Sequence, residues 1–348
     1  MGLELGGDLV ALLRAIVDIE SVSGNEKRLA DEIAEALRAY PHLEVLRDQD
    51  LVVARTNLGR ERRVVVAGHI DTVPVAANLP SYFEDGRIYG RGSCDMKAGV
   101  AVMLAAAAAL KAPKYDVTWI FYDHEEVAAE LNGLGRLDPE LLQGELAILM
   151  EPTSAQIEGG CQGTLRFNIK TKGRKAHAGR AWLGHNAIHD AADVLFRLYR
   201  YKPREVSVDG LVYKEGLNAV AIRGGVAVNV IPDECVITIN FRFAPDRDEA
   251  DAKAFIAQTF TGYVPEYIDF APGARPGLDR GISKDFAETI GGKVSPKYGW
   301  TDVARFSALG IPAVNYGPGD PGKAHADDEF CPVEQLRSCH AGIIRYLG

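Results

Sequence analysis

The sequence predicts an α/β protein, a mostly parallel sheet covered by helices, with an α+β domain inserted into it. Three observations carry this reading. Short apolar runs alternate with stretches of helical period up to about residue 161, the pattern changes, and it resumes near residue 275. Four of the apolar runs end in or lead towards carboxylates and imidazoles, and the carboxyl ends of parallel strands are where ligands collect. A chain of 348 residues with 47% hydrophobic content can build two cores.

Taken in order, Leu9, Leu12, Leu13 and Ile16, then Leu29, Ile33 and Leu37, sit at helical spacing around a Ser21–Glu26 break, giving two amphipathic helices. Val45–Arg55 and Arg63–Ala67 read as strands, the alanine-rich stretch after Gly99 as a buried helix, and Val117–Tyr122 and Leu146–Met150 as further strands. From about residue 162, Thr164–Lys172 alternates as a strand and Asn186–Tyr199 has helical period. Ala219–Arg223 and Cys235–Phe243 follow as strands, then a charged helix over Asp246–Phe260 and a strand over Tyr267–Phe270. This β-α-β-β-α-β order is ferredoxin-like. The chain then returns to helix Ser283–Ile290, a strand near Val294, helix Asp302–Leu309, strand Pro312–Tyr316 and helix Pro332–Leu347. The predicted domains are therefore 1–161 with 275–348, and an inserted 162–274.

A formal net charge of −9, with both signs interleaved, argues against nucleic acid or an anionic membrane as partner. Met1–Leu5 lacks a basic, then apolar, leader pattern, and Val100–Leu110 is too short to span a bilayer. Cys94, Cys161, Cys235, Cys331 and Cys339 form neither CxxC pairs nor a clustered framework, which predicts reduced thiols and a cytoplasmic location.

The chemistry lies where the apolar runs end. Val64–Gly68 runs into His69-Ile70-Asp71, Val117–Asp123 leads to Glu125-Glu126, Leu146–Met150 meets Glu151, and Ile311–Tyr316 leads towards His325. Adjacent Glu125 and Glu126 point in different directions, so one can bind a cation while the other moves protons. Asp71, two residues from His69, is spaced to orient the imidazole nitrogen that faces away from a metal. Asp95 stands in the glycine-rich loop Gly90–Lys97, where an ordinary helix start also favours a carboxylate. Each residue alone has a plain reading as turn, cap or surface group. Their joint occurrence at successive strand ends points to a metal-dependent hydrolase.

His69-Ile70-Asp71, Gly92–Lys97, Glu125-Glu126, Glu151-Pro152 and His325 resemble, in order and context, the dinuclear zinc amidohydrolases and exopeptidases of the aminoacylase and M20 peptidase group. The resemblance spans the whole chain and implies a zinc-peptidase-like catalytic domain with an inserted dimerisation, or lid, domain. It implies that Asp95 bridges two Zn2+ ions per subunit, replaceable by Co2+ or Mn2+, with His69 and Glu151 completing one site and Glu126 and His325 the other. Glu125 is then the general base and Asp71 the orienting acid. Lys175–Arg180 resembles the group's histidine motif, which implies that His177 reaches the tetrahedral oxyanion, often in the neighbouring subunit of a homodimer. Gly224–Pro232 and Asn240–Arg242 also match, implying that Asn229 and Arg242 contact the substrate. Arg180 and Arg242 suit bidentate binding of a carboxylate, and either is also a plausible surface ion-pair partner. The loop Gly299–Asp302 departs from the Gly-Gly-Thr-Ser type of better-known members; Thr301 is a candidate hydroxyl contact, with helix capping by Thr301 or Asp302 as the equal alternative.

Overall fold

The computed structural model describes residues 2–279 and 281–348, and the chain divides into two compact units. The first comprises Met1–Gly159, Pro276–Ser295 and Arg305–Gly348; the second, Gly160–Arg275 and Pro296–Ala304. Pro296–Ala304, within the stretch 275–348 that the sequence assigns to the catalytic domain, thus packs with the second unit.

Uninterrupted apolar runs form the centre of the first unit because a parallel strand covered on both faces has no solvent side to alternate towards. Asp116–Tyr122, Arg63–His69, Leu146–Leu149 and Ala313–Asn315 lie side by side and parallel. Val64, Val65, Val66, Trp119, Ile120 and Phe121 are all buried. Antiparallel pairs extend this centre through Leu51–Arg55 and Glu44–Asp48 on one side and Ile157–Gly159 on the other, and Val294–Pro296 next to Ile157–Gly159 completes an eight-stranded sheet. The register decides where function can sit. His69 pairs with Tyr122 and Ala67 with Leu149, so the residues that follow these strands emerge along one edge.

The helix Lys97–Ala109 is buried almost all round, as its alanines permit. A Cβ on Gly99 would lie 2.2 Å from the Met150 carbonyl oxygen, so only glycine lets this helix approach the strand end that leads to Glu151. Buried Lys97 donates to the Ile19 carbonyl at 2.7 Å, and burial pulls its ammonium pKa down to about 7. Helices Leu9–Val17 and Lys27–Arg38 bury one face each, as predicted from their spacing.

In the second unit, Gly216–Gly224, Glu234–Phe243, Gly163–Lys172 and Glu266–Ala271 form an antiparallel sheet in that order. Helices Ala187–Arg200 and Glu249–Thr259 contribute Val194 and Ile256 to a core with Phe167, Ile169, Ile237 and Phe241.

Two elements differ from the sequence reading. Val45–Arg55 is a hairpin and not one strand: Glu44–Asp48 and Leu51–Arg55 turn back at Gln49, whose φ of 51° no continuing strand can adopt. A second hairpin, Glu205–Val208 with Leu211–Lys214, was not foreseen, although its Asp209-Gly210 pair is a strong two-residue turn signal and both residues have positive φ. All five cysteines are buried and free, and among the described residues no helix is long and apolar enough to cross a membrane.

The base of that hairpin is held by buried Glu215, which accepts from Arg204 Nη2 at 2.8 Å, Arg247 Nε at 2.8 Å and the Ala244 amide at 3.2 Å. Replacing Glu215 by Ala leaves two guanidiniums without their shared carboxylate. Because Arg204 is about one-third exposed, the cost falls at or below the lower end for broken buried pairs, about 2–3 kcal/mol. Chemical denaturation of the variant is expected to show a loss of that size; an unchanged midpoint would remove this role.

Candidate metal centre

The parallel register brings the sequence-predicted ligands of the first unit together. His69, at the end of its strand, is buried, and its Nε2 lies 3.2 Å from Asp95 Oδ1. Its Nδ1 lies 3.0 Å from the Asp71 carbonyl oxygen and 3.4 Å from that residue's carboxylate. Asp71 thus faces the His69 Nδ1 with both its main chain and its carboxylate, and the shorter contact is to the main chain. The Asp71 carboxylate accepts the Glu125 and Glu126 amides at 3.0 Å each and the Ser23 hydroxyl at 2.6 Å. One buried acid therefore fixes both the histidine and the turn bearing the two glutamates.

Across the site, His325 Nε2 lies 3.0 Å from Glu126 Oε1 and 3.4 Å from Asp95 Oδ2. Glu151 is buried just past the strand Leu146–Leu149. Two groups of three donors result, His69 with Asp95 and Glu151, and Asp95 with Glu126 and His325, each with ligand atoms within 4.8 Å of one another. Asp95 belongs to both and presents one oxygen to each histidine. Glu125 also falls in a third group, with His69 and Glu126, so it stands beside the centre without being needed by either pair.

Four carboxylates this close repel one another unless positive charge lies among them. The histidines respond accordingly. Hydrogen bonds to Asp95 and Glu126 push His325 up to about 10, against the opposing effect of burial. For His69, burial disfavours the imidazolium, but the contacts to Asp71 and Asp95 outweigh it and raise the pKa. Burial would raise the Asp95 carboxyl; its bonds to His325 and His69 instead hold it well below the usual carboxylate range. Nitrogen and oxygen donors in two sets of three fit divalent ions of the zinc, cobalt and manganese kind. Cys94 is not among the donors: its thiol points to the Asp320 carbonyl oxygen at 3.2 Å, and burial raises its pKa.

Residues 65–347 match the model of peptidase family M20/M25/M40. The chain belongs to this peptidase family. It is 51% identical over 352 residues to the putative succinyl-diaminopimelate desuccinylase DapE of Mycobacterium tuberculosis, covering 99% of each. It is 48% identical over 360 residues to the succinyl-diaminopimelate desuccinylase of Corynebacterium glutamicum, covering 99% of this chain and 98% of that one. A tripeptidase from Staphylococcus aureus superposes with a TM-score of 0.80 at 22% identity, covering 97% of this chain and 96% of that one, a likeness of fold. As an M20-family member with such relatives, the protein is a metal-dependent amide hydrolase.

The other residues singled out from the M20 resemblance lie in the second unit. The His177 loop and the Asn229 loop are paired: Ala178 donates to the Asn229 carbonyl at 2.8 Å, and Ile231 to the Ala176 carbonyl at 2.8 Å. His177 Nδ1 accepts the Gly179 amide at 3.0 Å, which leaves Nε2 as its outward nitrogen, and Arg180 is exposed. Arg242 stands in strand Glu234–Phe243 opposite Thr164 and Gly216; burial lowers its pKa, and its Nη1 is buried without a hydrogen-bond partner. Thr301 is buried, and its carbonyl accepts the Ala304 amide at the start of helix Val303–Ala308, the position of the capping alternative.

Apart from Asp71, sequence reasoning missed the residues that brace the candidate ligands. Ser23, in the break between the first two helices, donates its hydroxyl to the Asp71 carboxylate and braces it. Glu26, fully buried, receives the His124 amide at 3.3 Å just before the glutamate pair. Glu329 receives the amides of Cys94 and Asp95.

Because cations and protons compete for His69 and His325, whose proton affinities are raised, metal binding releases protons. Zinc affinity of the metal-free protein is therefore expected to rise between pH 6 and pH 8, measured by competition with a chromophoric chelator. A pH-independent affinity would contradict this donor set.

Proposed function

We propose that this protein hydrolyses N-succinyl-LL-2,6-diaminopimelate to succinate and LL-2,6-diaminopimelate, a step of lysine and diaminopimelate biosynthesis, using two divalent ions, Zn2+ with Co2+ or Mn2+ as substitutes. The observation that carries the hydrolytic reading is the pair of donor triads meeting at Asp95, with Glu125 next to them. The substrate is supported by the two desuccinylase relatives at about half identity over nearly the whole chain. It is supported further by stretches that resemble the actinobacterial form of this enzyme: Gly160–Arg166, Ala181–His189, Gly299–Phe306 and Asn315–Pro321.

In this reading His69, Asp95 and Glu151 hold one ion, and Asp95, Glu126 and His325 the other. When bound, such a pair lowers the pKa of a water molecule and polarises the amide carbonyl. Glu125 takes the water proton and delivers it to the departing amine, a role that its neighbour's engagement with His325 leaves open to it. Asp71 keeps His69 and the Glu125-Glu126 turn in place. His177 donates to the developing oxyanion. The substrate carries several carboxylates, and an acidic chain needs local cations to hold them; Arg180 and Arg242 serve as carboxylate forks, while Asn229 and Thr301 offer polar contacts.

The partners proposed are this small molecule and a second copy of the chain, with no nucleic acid and no membrane. Edge strand Gly216–Gly224 exposes Val220 and Ile222, and helix Ala187–Arg200 exposes Leu195, Phe196 and Tyr199, apolar surface suited to a two-fold interface of the second unit. Five buried free thiols support a cytoplasmic location. The nearest rival is another N-acyl-amino-acid deacylase, or a dipeptidase or carboxypeptidase, of the same family.

Turnover of succinyl-, acetyl- and dipeptide substrates is expected to favour the succinyl compound and to vanish on chelation; no preference for it would leave only the broader amidohydrolase. Glu125→Gln is expected to lower kcat on the order of 10²-fold or more while metal content stays at the wild-type level. Full activity in that variant would remove the proposed base. If His177 acts across the interface, sedimentation paired with assay will find activity only in the dimer, and a fully active monomer would refute the trans role.

A further inference from the structure

We propose that Glu329 is a positioning residue that holds Asp95 within reach of both histidines and so sets the affinity of the paired-cation centre. The inference rests on the reading of Asp95 as the shared ligand. Glu329 is 1% exposed. One of its oxygens accepts two successive amides, Cys94 at 2.9 Å and Asp95 at 3.0 Å, and the other accepts Arg91 Nη1 at 2.7 Å. Its main chain joins the same web, accepting the Gly90 amide at 3.1 Å and donating to the Ala326 carbonyl at 3.3 Å. Arg91, itself buried, extends the web to the Pro74 carbonyl at 3.0 Å and the Ala326 carbonyl at 3.3 Å. A single carboxylate thus ties the loop of Asp95 to the turn that follows His325, and through Arg91 to the segment beyond Asp71.

A buried ion pair gives little net stability, because desolvating two charges offsets their attraction. What this pair does supply is direction. With adjacent amides converging on one oxygen, the backbone at Asp95 has a fixed orientation, and only the side-chain torsions remain to aim the carboxylate. Removing the acceptor orphans two buried donors, and the loop must turn to satisfy them. Such a turn moves the one residue that both donor triads share. Partners that orient ligands are typically worth about 10–100-fold in metal affinity.

The test is zinc titration of the metal-free protein against a chromophoric chelator, alongside thermal unfolding of the same metal-free samples, for wild type, Glu329→Leu and the double variant Arg91→Met/Glu329→Leu. The double variant removes both charges together, so it avoids an uncompensated buried guanidinium and keeps the test open if Glu329→Leu folds poorly. Both variants are expected to bind zinc about 10–100-fold more weakly. The double variant, which lacks the unpaired guanidinium but still leaves the two amides without their acceptor, is expected to regain part of the metal-free thermal stability that Glu329→Leu loses without regaining zinc affinity. Wild-type zinc affinity in either folded variant, or recovery of affinity together with stability in the double variant, would overturn the proposal. A wild-type protein that takes up fewer than two zinc ions would instead overturn the paired-cation reading, so the two failures are distinguishable.

Discussion

The structure turns on the crowding of carboxylates around Asp95. Asp95, Glu125, Glu126 and Glu151 converge at the sheet's edge with His69 and His325 between them, and such a collection of like charges is tolerable only if cations or protons offset it. That requirement gives the proposed paired-ion centre its physical basis, and the same carboxylates raise the pKa of both histidines. A site built only for stability would place apolar groups there.

The rest of the first unit serves this convergence. Parallel strands in matched register deliver His69, the Glu125-Glu126 turn and Glu151 to one edge. Gly99 lets the buried helix after Asp95 close against the Met150 strand end. The candidate ligands are then braced by carboxylates outside the candidate donor triads: Asp71 at the amides of the glutamate pair, and Glu329 at the amides of the Asp95 loop. In both cases the acid accepts two consecutive backbone amides. Fixing the main chain this way is more restrictive than contacting the side chain, because it removes the freedom of the turn that carries the ligand.

The candidate donors His69, Glu126 and Glu151 were legible because each comes after an apolar run whose length and composition mark a buried strand, and because their joint occurrence at successive strand ends has no plain structural reason; Asp95, in a glycine-rich loop, was legible only through the resemblance of its motif. The ferredoxin-like order was legible from the switch between alternating and helical periods. Glu329 was not, since it sits in Asp327-Asp328-Glu329, which reads as a solvated acidic turn; only the fold reveals that Arg91 and the Asp95 loop close over it. The hairpin at Gln49 was hidden because Val45–Arg55 keeps strand-like residues on both sides of a turn that contains no glycine or proline. The Asp209-Gly210 hairpin carries a two-residue turn signal, but its two strands are only four residues each, too short for periodicity to mark them. That Pro296–Ala304 packs with the second unit depends on contacts distant in sequence, such as Gln162 with Lys297 and Trp300 with Pro272, which local pattern does not encode.

The most direct measurement is a crystal structure of the zinc-loaded protein with anomalous data collected at the zinc edge. The account predicts two zinc peaks about 3.5 Å apart, one carboxylate oxygen of Asp95 on each, with His69 and Glu151 on one side and Glu126 and His325 on the other. A single peak, or two ions that do not share Asp95, would contradict it.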